Sequence, residues 1–142
     1  MGAIAHSAMA QERQWSLDTS EGDAYLIFGV PDSDDVGVSF WCTMGSGDIR
    51  LFIPETGDKL NPGETVAYSI AVDDESFDLK GRTLANEEAG TTSIETSLAP
   101  ADPLFAALQR ADRFKIEIPG HEQIYPLTDA DVAGLLRLCA KP

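Results

Sequence analysis

Few side chains in this sequence can do chemistry, and their spacing decides which chemistry is open to them. There are two cysteines, Cys42 and Cys139. Neither sits in a C-x-x-C pattern or beside a base that would favour the thiolate, so nothing marks a redox-active pair. Both fall on apolar faces. Cys42 lies in the alternating run 36–44, and Cys139 ends a stripe of Val132, Leu135, Leu136 and Cys139 at i, i+3, i+4 and i+7. One disulfide clasping the chain end to its central sheet is the expected arrangement, with two buried free thiols as the alternative. Closing a loop of this length stabilises a fold by about 4–5 kcal/mol in the chain-entropy picture.

Of the two histidines, His6 falls in the first residues and His121 in the segment Pro119-Gly120-His121-Glu122-Gln123. His121 beside Glu122 has the makings of a general base. No nucleophile or triad partner accompanies it, so a surface loop is the expected setting. There is no H-E-x-x-H and no multi-cysteine pattern for zinc. Acids cluster at Asp32/Asp34/Asp35, at Asp73/Asp74/Glu75/Asp78 and at Asp129/Asp131. None has the calcium-loop spacing; the first two read as turns and the third as a helix N-terminus. Gly45-Ser46-Gly47 joins two strands instead of opening a helix, and Asp48 beside it repels anions, so it reads as a hairpin turn. Neither a metal nor a cofactor is expected. The remaining candidate is a surface, the aromatic pair Trp41 and Phe52. Left uncovered, it would be a patch of the kind used for partners; beneath a second layer, it would be core.

These residues need a scaffold to place them. Period-two alternation marks strands at 15–17, 24–30, 36–44, 49–53, 65–72, 76–80, 93–98 and 113–118, with a further short pairing at 123–125. In the second, Leu26, Phe28 and Val30 face one way, Tyr25 and Ile27 the other. The hairpin 36–53 puts Val38, Phe40, Cys42, Leu51 and Ile53 on one face, Trp41 and Phe52 on the other. A four-residue turn 45–48 would place Cys42 opposite Leu51 and Trp41 opposite Phe52. The polar stretch 81–92 reads as the loosest segment of the domain. Asp102-Pro103 opens a helix over about 102–111, with aspartate as N-cap and proline at N1. Thr128 as N-cap, Asp131 at N3 and a Leu127–Val132 staple predict a second over about 128–139. The class is therefore α+β: a mostly antiparallel meander or sandwich of seven to eight short strands with two late helices.

Composition narrows the partners. There are 24 acidic and 10 basic residues, net −14. Nucleic acid and anionic membranes are disfavoured, whereas a basic protein is electrostatically suited. No apolar run reaches 18 residues, so no membrane span is expected. Ala8-Met9-Ala10 before Gln11 has the small-x-small form of a signal-peptidase site with a short lead-in. Residues 1–14 thus read as an unstructured leader remnant, and 15–142 as one globular domain, periplasmic or secreted.

The order of Phe40-Trp41-Cys42, the Asp-rich turn, the short helix, and Pro126-Leu127 through Gly134-Leu135-Leu136 to Cys139 resembles small exported proteobacterial domains. It is similar in layout to the VasI-like proteins that accompany type VI secretion clusters. The resemblance implies an exported β-rich accessory protein and transfers no catalytic residue. The expected function is a non-enzymatic binding or accessory module acting through protein–protein contact with a basic envelope protein. The alternatives are a small hydrolase using His121 and Glu122, or a basic pocket drawn from Lys80, Arg82, Arg110, Arg113 and Lys115, or a purely structural envelope component.

Overall fold

A strand sends successive side chains to opposite faces, so a chain of alternating strands folds by turning all its apolar faces to one side. The computed structural model, which describes residues 12–86 and 90–142, shows this outcome. Its strands are β1 (Gln14–Ser20), β2 (Asp23–Gly29), β3 (Val36–Thr43), β4 (Ile49–Ile53), β5 (Thr65–Val72), β6 (Glu75–Asn86), β7 (Thr91–Leu98), β8 (Arg113–Ile118) and β9 (His121–Pro126). The helices are α1 (Pro103–Leu108) and α2 (Val132–Cys139). Among the described residues the strands form one antiparallel sheet in the order β1-β2-β3-β4-β7-β6-β5-β8-β9. The expected α+β plan with two late helices is the one observed. The leader expected over 1–14 lies outside the described residues as far as position 11; Gln14 already belongs to β1.

The sheet curls until its two ends meet. Leu26, Phe40, Leu51, Ile53, Ile70 and Ile116 are buried on the concave side in a single core. Burying each such side chain contributes roughly 1.5–3 kcal/mol. Trp15 on β1 donates from its indole nitrogen to the Pro126 carbonyl on β9 at 2.7 Å. Tyr125 on β9 packs edge-on against Phe28 on β2, with ring centroids 6.0 Å apart. Its hydroxyl donates to Glu55 Oε1 at 2.9 Å, with the Gly37 carbonyl 3.2 Å away. Arg13 completes this seam through 3.0 and 2.7 Å bonds to the Glu55 carboxylate and a 2.8 Å bond to Asp35. Burial pushes the Tyr125 hydroxyl pKa up, and the hydrogen bond to Glu55 adds to it.

The segment 81–92 departs from the sequence expectation, because β6 continues to Asn86 and pairs with β7. Its buried Thr83 hydroxyl donates to the Asn61 carbonyl and accepts the Glu64 amide, each at 2.7 Å, so a polar residue meets no cost there. β6 also changes partner: residues 75–82 pair with β5 and 82–86 with β7. Gly81 stands at the change. A Cβ there would lie 2.5 Å from Ile94 Cγ2, 2.6 Å from Thr96 Oγ1 and 2.9 Å from the Glu95 carbonyl oxygen.

Both helices sit against the concave face. α1 starts as expected, the Asp102 carboxylate accepting from the Leu104 amide at 3.0 Å, but ends at Leu108. Its Phe105 packs edge-on against Phe40 at 5.8 Å. α2 begins later than expected, at Val132, and its N-cap is Asp131, not Thr128. Asp129 takes a left-handed conformation (φ 67°), which breaks the helical path, and the Asp131 carboxylate then accepts from the Gly134 amide at 2.9 Å. Leu127 and Val132 are both buried, yet with the cap at Asp131 they are not in staple positions.

The far end of α2 is held twice. Cys139 is bonded to Cys42 on β3, with α-carbons 5.9 Å apart. The Leu138 and Cys139 carbonyls accept from the Gly45 and Gly47 amides at 2.9 and 2.8 Å. These are carbonyls that a helix end leaves without internal partners. The turn that supplies the amides is 44–47, because Trp41 pairs with Arg50 and Ser39 with Phe52. The hairpin is thus shifted by two residues from the expected register. A shift of two preserves the faces, so Cys42, Leu51 and Ile53 still point inward.

Two outcomes follow for stability. Gly81→Ala is expected to cost about 1–3 kcal/mol by overpacking, read as a lower denaturant midpoint at unchanged slope; an unchanged midpoint contradicts the close approach. Burial alone would raise the Glu55 carboxyl pKa, but the hydrogen bonds from Arg13 and Tyr125 outweigh it and hold it below the usual value. The unfolded chain therefore takes up this proton first, at about pH 4.3. The stabilisation is present above that pH and fades as pH falls through the lower folded value. The stability gap between the native chain and Glu55→Gln should be widest near neutral pH and narrow in acid, as urea titrations at a series of pH values would show. A gap independent of pH would contradict this seam.

Candidate functional site

The curl turns one face of the sheet outward. On most of it the residues are polar, as the alternation of β5, β6 and β8 requires. Across β2, β3 and β4 it is not. Tyr25 lies directly opposite Trp41, and Phe52 is opposite Ser39, one step diagonally from Trp41. Ile27 flanks them from β2. All four are half-buried, and among the described residues no helix or second sheet lies over them. The Tyr25 and Trp41 rings are nearly parallel, with an interplanar angle of 20° and centroids 6.4 Å apart. Asp23, Tyr25, Ser39, Trp41 and Phe52 line a shallow hollow of about 300 Å³.

The surroundings of this hollow are acidic. The Tyr25 hydroxyl donates to Asp23 Oδ2 at 3.3 Å. Its pKa is raised by partial burial and by the negative charges of Asp23 and Glu21. Asp18 on β1 stands directly across from Tyr25 on the same face. Arg50, across from Trp41, is held by Asp48 at 2.9 Å and by Glu95 at 3.2 Å. Five carboxylates therefore surround the aromatics against one guanidinium, which is itself doubly paired.

The other candidate residues are placed differently. His121 and Glu122 are neighbours on β9, so their side chains leave the strand on opposite faces. His121 packs beside Gly57, and its Nε2 is buried without a hydrogen-bond partner. Glu122 is exposed, 3.9 Å from Lys115. The five residues of the suggested basic pocket do not converge. Lys80 and Arg82 line a hollow of about 310 Å³ with Arg50 and Glu95, Arg110 pairs with Glu75, and Lys115 pairs with Glu117. Arg113 is at the start of β8, opposite Pro126.

The Asp-rich segments hold turns and a cap: Asp32, Asp73 and Asp129 adopt positive φ, Asp35 binds Arg13, and Asp131 caps α2. Among the described residues no three histidine, cysteine or acidic side chains gather in metal-binding geometry. The amides of Gly45 and Gly47 are spent on the α2 carbonyls. An open hollow of about 730 Å³ lies over β5, β6 and β8 with Ser69, Asp78, Lys80 and Glu117 on its walls. Within it the Ser69 hydroxyl donates to Glu117 Oε1 at 3.2 Å.

Sequence reasoning singled out Trp41 and Phe52 but not Tyr25 or Asp23. The signal was present in the outward phase of Tyr25 along β2; what was missing was the β2–β3 register that sets it against Trp41. No protein-family model matches this chain, and comparisons with curated proteins and with solved structures return no match.

Proposed function

We propose that this protein is a non-enzymatic binding or accessory module of an oxidising compartment, periplasmic or secreted, that works through protein–protein contact with a basic partner. The observation that carries the reading is the cluster of Tyr25, Trp41 and Phe52, which lines one hollow on the outward sheet face and has no layer over it among the described residues; Leu84 and Ile124 stand exposed singly. Aromatic side chains at the centre of a polar, charged surround are what partner-binding patches are made of. The disulfide supports the compartment, because such links persist where thiols are not kept reduced. The VasI-like layout supports an exported accessory role in the same way. The net charge of −14 supports a basic partner and speeds encounter with it. The separation of His121 from Glu122 across the two faces of β9 removes the support the hydrolase reading drew from their adjacency.

The test is capture from an envelope extract with the full chain and with a Trp41→Ala/Phe52→Ala double variant, which alters only outward side chains. The native chain should retain a basic protein that is released by salt and is absent with the double variant. Equal recovery by both would overturn the assignment of the binding face.

A further inference from the structure

We infer that the Tyr25–Trp41–Phe52 hollow is a seat for an arginine side chain presented by a protein partner. The inference rests on the proposed binding role and names the chemistry of the contact. Aromatic faces carry negative potential and attract cations, most strongly at tryptophan. Here a tryptophan and a tyrosine stand with their planes only 20° apart and their centroids 6.4 Å apart, so two aromatic faces of like orientation line one surface of the hollow. A planar guanidinium stacks on such a surface in a way that a compact ammonium does not. The hollow, about 300 Å³, has room for a side chain and little more.

Charge points the same way. Asp23 lies on the wall of the hollow, where its carboxylate can accept from the outer edge of a stacked guanidinium. Asp18 and Glu21 add negative charge on the Tyr25 side. On the opposite side Arg50 is neutralised by Asp48 and Glu95 and so does not repel an incoming cation in full. Ser39 leaves a small polar floor between the aromatics. An apolar ligand would gain the rings and leave the Asp23 carboxylate with only the Tyr25 hydroxyl to accept from; an anion would face Asp18, Glu21 and Asp23. The cation is the occupant that uses both.

The chain carries its own control. It has two tryptophans; Trp15 is buried on the concave side with its indole N–H bonded to the Pro126 carbonyl, whereas Trp41 lies in the hollow. Indole N–H resonances of the full-length, disulfide-intact protein can therefore be followed during titration with acetyl-Gly-Arg-Gly-Arg-Gly-amide. Parallel titrations use the same peptide with lysine, glutamate or norleucine in place of arginine. The arginine peptide should shift the Trp41 signal and leave Trp15 in place, with affinity falling as salt is raised. Lysine should bind roughly three- to tenfold more weakly, and glutamate should not bind. Asp23→Asn and Trp41→Leu should each weaken the arginine peptide by roughly tenfold, with the Trp15 signal reporting that the fold is intact. Norleucine binding as tightly as arginine would overturn the cation seat while leaving the partner-binding face standing. No shift of Trp41 with any peptide, up to several millimolar, would also overturn it, and the capture experiment would then decide the binding face by itself.

Discussion

The bond between Cys42 and Cys139 joins the third strand of the nine-stranded sheet to the last residue of α2. Cys42 is on an interior strand, so this link fixes the position of α2 against the concave face and not merely against an edge. Around it the Gly45 and Gly47 amides take up the helix-end carbonyls. Covalent link and hydrogen bonds thus act on the same turn of the helix, and the β3–β4 turn is shaped to meet them. Left-handed φ at both glycines lets the chain present two amides to one helix end.

With α2 and α1 both on the inside, neither remains to cover the outside. The sheet follows one physical division throughout: strand alternation sends Leu26, Phe40 and Leu51 inward, and the sheet's own curl buries them. The Arg13–Glu55–Tyr125 seam then holds the curl where β9 returns to β2 and β3. What the division leaves exposed is the second apolar set of the hairpin, Trp41 and Phe52, together with Tyr25 and Ile27 from β2. A hairpin apolar on both faces usually signals two covering layers. Among the described residues one layer is present, and the other face carries none.

Most strands were legible because alternation is a local property. Val36 to Thr43 and Thr65 to Val72 declare their faces without reference to the rest of the chain. The disulfide was legible for a similar reason, since each cysteine lies on an apolar face of its own element. Register was not legible, because the two-residue shift of the β3–β4 hairpin depends on contacts with α2 from the other end of the sequence. The start of α2 was misplaced because Thr128 and Asp131 are both good caps; the left-handed Asp129 between them decides which is used. Residues 81–86 looked like loop because nothing local shows that Thr83 finds partners at Asn61 and Glu64. The aromatic hollow was half legible: Trp41 and Phe52 come from one hairpin, whereas Tyr25 and Asp23 join them only through sheet pairing.

The clasp is tested most directly by equilibrium unfolding of the chain with its disulfide intact and after reduction and alkylation. A link closing about a hundred residues should stabilise the oxidised form by about 4–5 kcal/mol, and reduction should also remove the hydrogen-exchange protection of the Gly45 and Gly47 amides. Equal stability of the two forms, with those amides still protected, would contradict the account.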